Sequence, residues 1–152
     1  MAIRNIIKVG DSVLTTPCKK VDTIDARTLQ LLGDMHDTLA EAGGVGLAAP
    51  QMGVLKRIAI IDMGEDGGLF ELINPEILEM RGSQIDSEGC LSFPGKFGEV
   101  ERPNYVKVRA INRGGESVIL EGEGLFARAV CHEVDHLDGK MFMGLVRKWL
   151  EE

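Results

Sequence analysis

One stretch limits what this chain can become: Leu125 to Gly139, LFARAVCHEVDHLDG, which contains His132-Glu133-x-x-His136. Residues four apart on a helix sit nearly above one another. Both imidazoles can therefore reach a single metal ion, with Glu133 one step round, beside any water that ion holds. At about 100° per residue, Leu125 and Ala129 fall on the side of His132 and His136, and Phe126, Val130, Glu133, Val134 and Leu137 widen the arc. Arg128, Cys131, Asp135 and Asp138 occupy what remains. The pattern is that of a mostly buried helix with two histidines set in its apolar side, where polar groups need partners. Gly139 is placed to end the helix as its C′ residue. Cys131 adjoins His132 in sequence but points away from it and reads as a bystander. The motif alone is short, and a surface helix whose histidines and carboxylates merely mix charge is an equal reading of it.

At 152 residues, 44% of them apolar and 27% charged, the chain is read as one globular domain spanning 1–152. It has no apolar run of membrane-spanning length, and the N-terminal MAIRNIIKVGDSV lacks the core of a signal peptide. The expectation is a cytoplasmic protein with no membrane partner. A net charge of −7, from 24 acidic against 17 basic residues, argues against direct nucleic-acid binding, which needs clustered Lys and Arg. Cys18, Cys90 and Cys131 are odd in number and widely spaced, so they suggest a reducing compartment rather than a disulfide framework.

Residues 3–14 read as an extended arm, with a turn at Pro17. Asp25 is a good N-cap for a helix to about Ala42, with Leu29, Leu32, Leu39 and Ala40 as its buried stripe. His36 lies on that stripe and is either a packed core histidine or a third imidazole ligand. Arg57–Asp62 and Leu69–Asn74 read as strands about a turn at 64–68, and Ile77–Met80 with Gln84–Ser87 as a second pair about Gly82. Val106–Asn112 and Ser117–Glu121 form the clearest hairpin, turning at Arg113-Gly114-Gly115. Hairpins gathered between two helices predict an α+β fold, mainly antiparallel sheets packed around the central C-terminal helix that carries HExxH.

Two further stretches bear on chemistry. In Glu88-Gly89-Cys90-Leu91-Ser92, Cys90 offers the best remaining soft ligand; with His132 and His136 it leaves a fourth tetrahedral position open. A buried, inert cysteine at a strand edge is an equal reading. In Gly44-Val45-Gly46-Leu47-Ala48-Ala49-Pro50-Gln51, glycines permit close backbone approach to a ligand, and Gln51 offers a neutral amide donor for an oxyanion. Taken alone, that stretch is also an ordinary helix C-cap and turn.

Together the three stretches, in this order and at these separations, resemble the three signature motifs of the peptide deformylases, and the resemblance extends from the N-terminal arm to about Phe142. Members often have Gln where this chain has Cys131, and many have an apolar residue at Arg128, so a more polar pocket rim is expected here. The resemblance implies removal of the formyl group from N-terminal formyl-methionine of new polypeptides, with release of formate. Cys90, His132 and His136 would hold one divalent metal ion and lower the pKa of its water. Fe²⁺ is favoured, with Zn²⁺, Ni²⁺ or Co²⁺ able to substitute. Glu133 would act as general base, and Gln51 with the Leu91 backbone N–H would meet the oxyanion. Gly44, Val45, Gly46 and Gly89 would line the bound substrate backbone, and Leu125 and Ala129 the methionine side chain. The implied partners are N-formylmethionyl nascent peptides, met in transient contact with the ribosome. A second reading from another class is an inactive deformylase-fold protein that binds formylated peptides or metal without turnover.

Overall fold

Asp25 caps the first helix as its position suggests. Its carboxylate accepts from the Thr28 backbone N–H at 3.0 Å, and helix α1 runs Ala26–Ala42 until Gly43, at φ +75°, turns the chain out of it. The computed structural model describes residues 3–65 and 67–150. In chain order the strands are β1 (Gly46–Ala48), β2 (Ile58–Asp62), β3 (Leu69–Arg81), β4 (Gln84–Cys90), β5 (Phe93–Arg102), β6 (Tyr105–Ile111), β7 (Ser117–Glu123) and β8 (Val146–Leu150). Helix α2 spans Leu125–Leu137 between β7 and β8.

Among the described residues the strands form two antiparallel sheets, one in the order β1-β2-β3-β6-β7 and the other β4-β5-β8. Strand β2, IAIID, shows why the larger sheet is buried at this point. Successive side chains alternate between faces, so Ile58 and Ile60 pack with Leu32, Met35 and Leu39 of α1. Ile61 packs on the other face with Ala127, Val130 and Val134 of α2. The α+β architecture, with antiparallel sheets around a C-terminal helix, is the one expected. No helix among the described residues is long and apolar enough to cross a membrane.

Several local expectations need correction. On α1 the buried apolar side is Leu31, Leu32, Met35 and Leu39, while Leu29 and Ala40, expected on the stripe, face outward. Ile77–Met80 does not pair with Gln84–Ser87: β3 runs unbroken to Arg81 and pairs with β6, Ile77 opposite Val108 and Met80 opposite Val106. The apparent break at Asn74-Pro75 is a bulge. Asn74 sits at φ +52°, and its side chain holds the Val21 backbone at 2.8 and 2.9 Å while the strand continues past it. Gly82, at φ +69°, is the turn that takes the chain from the larger sheet to β4, whose partner is β5.

Strand β5, FPGKFGEVER, looks like a loop for its Pro94, Gly95 and Gly98, yet it is the centre of the smaller sheet. At Gly98 a Cβ would lie 2.6 Å from Val146 of β8, so close strand packing is what excludes a side chain there. The tail beyond Lys140 likewise contains β8, on the outer edge of that sheet. The N-terminal arm is non-helical as far as Asp11 and then makes a short 3₁₀ turn, Ser12–Thr15.

Candidate metal centre

Helix α2 is buried nearly all round because the larger sheet covers one side and β4–β5 reach the other. His132, Glu133 and His136 are each less than one-tenth exposed, and so are Arg128 and Cys131, which the helical wheel assigned to the remaining face. Strand β4 ends at Cys90 with a register shift after Gly89, and this brings the thiol against the helix. Cys90 Sγ lies 3.3 Å from His136 Nε2, and the two Nε2 atoms of His132 and His136 are 3.2 Å apart. The three ligand atoms all fall within 4.8 Å of one another. Gly139, at φ +76°, follows the helix end at Asp138 as the sequence suggested.

The orientation of His132 comes from a residue that sequence reasoning left without a role. Glu88 Oε1 lies 2.5 Å from His132 Nδ1. A carboxylate can only accept, so the proton sits on Nδ1 and the Nε2 lone pair faces Cys90 and His136. Glu88 is itself clamped by two arginines. Arg102 donates to both its oxygens at 3.0 and 2.5 Å, and Arg128 donates to Oε2 at 2.7 Å and to the Val100 carbonyl at 3.0 Å. Burial would raise the Glu88 carboxyl, but His132 and Arg102 hold it well below the usual carboxylate range. Arg128 therefore does not make an exposed polar rim: it lines the cleft, but its guanidinium is spent inside on Glu88.

Two imidazole lone pairs and a sulfur aimed at one point repel one another unless a cation lies among them. Burial, the His132 charge and Arg102 push His136 downward. Burial opposes protonation of His132 too, yet Cys90 and Glu88 lift it, so without a cation its Nε2 favours a proton, the one that a bound metal ion would displace to expose the lone pair. One soft and two borderline donors in such a cluster fit a divalent transition ion, and three protein ligands leave a tetrahedral position open. Cys131 is not of this set. It packs in the core against the larger sheet, and burial pushes its thiol up to about 11.

Beside the cluster, Glu133 is buried with Oε1 lacking a hydrogen-bond partner among the described residues. Burial pushes its carboxyl up to about 7. Strand β1 comes so close to Glu133 that a Cβ on Gly46 would lie 2.5 Å from Oε2. The Gln51 side chain is held at both ends: Oε1 accepts from the Ala48 N–H at 2.9 Å, and Nε2 donates to Ser92 Oγ at 3.1 Å and reaches Cys90 Sγ at 3.6 Å.

A cleft of about 480 Å³ opens over these groups. Gly44, Val45, Gly46 and Gln51 line one part of it, and Gly89, Cys90 and Leu91 another. Leu125, Ala129, His132 and Glu133 come from α2, and His136 lies behind them, reached through Cys90 and His132. The residues singled out from the sequence are thus gathered in one place. The glycines there make room for the protein's own side chains. At Gly44 the neighbour is Leu91, at Gly46 Glu133, and at Gly89 the ring of Phe97, which also lines the cleft. His36 lies elsewhere, 2.7 Å from Glu71, so it is neither a ligand nor a fully packed core residue. Ser92 lay within the Glu88–Ser92 stretch but received no role, because its partner Gln51 is 41 positions away. Arg102 and Phe97 stood outside every motif, since their pairing with Glu88 and Gly89 depends on the β4–β5 register.

The sequence model for polypeptide deformylase matches residues 3–150. Peptide deformylase 1 of Bacillus anthracis is 55% identical over 152 residues, covering 100% of this chain and 97% of that protein. Peptide deformylase 1 of Clostridium acetobutylicum is 57% identical over 143 residues, 94% of each. The crystal structure of a peptide deformylase from Legionella pneumophila superposes with a TM-score of 0.92 at 42% identity, covering 95% of this chain and 86% of that one.

Proposed function

Since the chain belongs to the peptide deformylase family and removes the N-formyl group from newly made polypeptides, we propose that Cys90, His132 and His136 hold the one divalent metal ion at which this hydrolysis takes place. The convergence of one sulfur and two imidazole nitrogens within 4.8 Å, beside an unpartnered buried carboxylate, carries the reading. We take the ion to be Fe²⁺, with Zn²⁺, Ni²⁺ or Co²⁺ able to substitute, since thiolate and imidazole suit each of them. When bound, it supplies Lewis acidity, lowering the pKa of water at the site and polarising the formyl carbonyl.

The protein's own groups do the rest. Glu133 takes the proton of the attacking water and delivers it to the departing amine. Its position is supported by the free Oε1 and by the side-chain space left at Gly46. The Gln51 amide and the Leu91 backbone N–H donate to the oxyanion that forms on the formyl oxygen. Strand β4 is the outer strand of its sheet, so a peptide can add along Gly89 as a further strand, opposite Gly44-Val45-Gly46. Leu125, Ala129 and Val45 offer the apolar walls for methionine, with Leu125 half exposed at the mouth. Residues 1–152 work as one catalytic domain, meeting nascent chains in the cytoplasm through transient contact with the ribosome.

Formate release from formyl-Met-Ala-Ser, measured beside cleavage of the unblocked peptide, tests the reading. The metal-loaded protein should release formate and leave the unblocked peptide intact. Glu133→Ala should keep its metal while kcat falls by at least roughly 10²-fold, the scale for loss of a general base. Near-normal kcat in that variant would remove Glu133 from the mechanism.

A further inference from the structure

The Gln51 amide could face either way, and its environment decides. The Ala48 backbone N–H can only donate, so Oε1 must face it at 2.9 Å. Nε2 then carries two hydrogens on the opposite side. One is taken by Ser92 Oγ at 3.1 Å, and the other is turned toward Cys90, whose sulfur is 3.6 Å from the nitrogen. Ser92 is fully buried, so no solvent can replace its hydroxyl. Both residues are also fixed from behind by the N-terminal arm: the Ile7 N–H donates to the Gln51 carbonyl at 2.7 Å, and the Val9 N–H to the Ser92 carbonyl at 2.8 Å.

We propose that Ser92 is a positioning residue for the deformylation reaction: by accepting one N–H of Gln51, its hydroxyl aims the other at the oxyanion beside Cys90. This rests on the reading of Gln51 as an oxyanion donor. Without the hydroxyl, a buried N–H of Gln51 is left unsatisfied, and the amide gains by rotating away from the reactive geometry in search of a partner. Ser92 touches neither substrate nor metal in this scheme. Its effect should pass entirely through Gln51.

The test is a cycle of wild type, Ser92→Ala, Gln51→Ala and the double variant, each metal-loaded, with kcat, KM and metal per chain measured on formyl-Met-Ala-Ser. Ser92→Ala should lower kcat by about five- to tenfold, the weight of one ordinary hydrogen bond, with KM and metal content unchanged. Ser92→Thr should restore most of the loss. In the Gln51→Ala background, removing Ser92 should cost nothing further. The same loss in both backgrounds would make Ser92 a packing residue and overturn the proposal. So would a loss in Gln51→Ala with none in Ser92→Ala, which leaves the oxyanion reading standing. If Gln51→Ala keeps full kcat, the oxyanion reading fails and takes the proposal with it.

Should Ser92→Ala fold poorly, Ser92→Thr and Ser92→Val match in shape and differ in the hydroxyl. Their kcat ratio should be about five or more when Gln51 is present and close to one in the Gln51→Ala background. An equal ratio in the two backgrounds overturns the proposal.

Discussion

Gly46→Ala puts a number on how closely the general base is boxed in. The new Cβ would lie 2.5 Å from Glu133 Oε2, 2.9 Å from Cδ and 3.0 Å from Cγ, where ordinary contact begins near 3.4 Å. Oε2 must be displaced by about 0.9 Å to regain ordinary contact, and Cδ and Cγ by about 0.4–0.5 Å, which rotation of the carboxylate cannot relieve, so the reacting oxygen leaves its place in a closely packed interior. Gly46 is not among the glycines with positive φ, so alanine strains no backbone angle. A misplacement of about 1 Å at a reacting group costs roughly 10²-fold in rate, or about 2.7 kcal/mol of barrier. Overpacking should cost about 1–3 kcal/mol of stability as well. Formate release with metal per chain measured in parallel is the assay: kcat should fall about a hundredfold while metal content holds, because Gly46 touches none of the three ligands. A Gly46→Ala protein with kcat within about twofold of wild type would refute the placement of Glu133 as the base.

Glu133→Gln bears on the burial that lifts this carboxyl from 4.5 to about 7. A raised folded-state pKa contributes stability that is full below the unfolded value and lost as pH rises through the folded one, so in metal-free protein the variant should gain on wild type between about pH 4.5 and 7, approaching on the order of 3 kcal/mol. Denaturant midpoints at both ends of that range give the comparison, and a constant difference between the two proteins would contradict it. Glu88→Gln keeps the shape of the side chain but loses the charge that orders His132, Arg102 and Arg128, and metal affinity in a competitive chelator titration should drop about 10- to 100-fold; unchanged affinity would make Glu88 only a fold element. Ala129→Leu should crowd the methionine wall and reduce kcat/KM for formyl-Met peptides at least about tenfold more than for formyl-Ala peptides, whereas parallel losses would place the pocket elsewhere.

How much of this was written in the sequence depends on whether a signal is local. Asp25, Gly43 and half of the expected α1 stripe, Leu32 and Leu39, lie within one helix, as do His132, Glu133 and His136, and these behave as their spacing indicates. Leu29 and Ala40 instead turn out exposed, because the sheet meets α1 along Leu31, Leu32, Met35 and Leu39. The hairpin of β6 and β7 is equally local, with Asn112 and Gly115 forming the turn. Strand β5 was hidden because Gly98 is set by Val146, almost fifty positions on, and the break seen at Asn74 because its side chain serves the backbone at Val21. In the centre, Cys90 could be matched to the histidines through motif order, but the buried Glu88 with Arg102 and Arg128 has no spacing to read. Charges enclosed by a fold look like surface charges in a sequence, and only tertiary contact separates the two.

The ligand set itself is tested most directly by the first coordination shell of the loaded protein. X-ray absorption at the zinc K-edge of zinc-reconstituted protein should show one sulfur at about 2.3 Å with imidazole nitrogens at about 2.0–2.1 Å, and the sulfur should vanish in Cys90→Ser. A shell of nitrogen and oxygen alone in the wild type, or a sulfur that survives the loss of Cys90, would contradict a centre built from Cys90, His132 and His136.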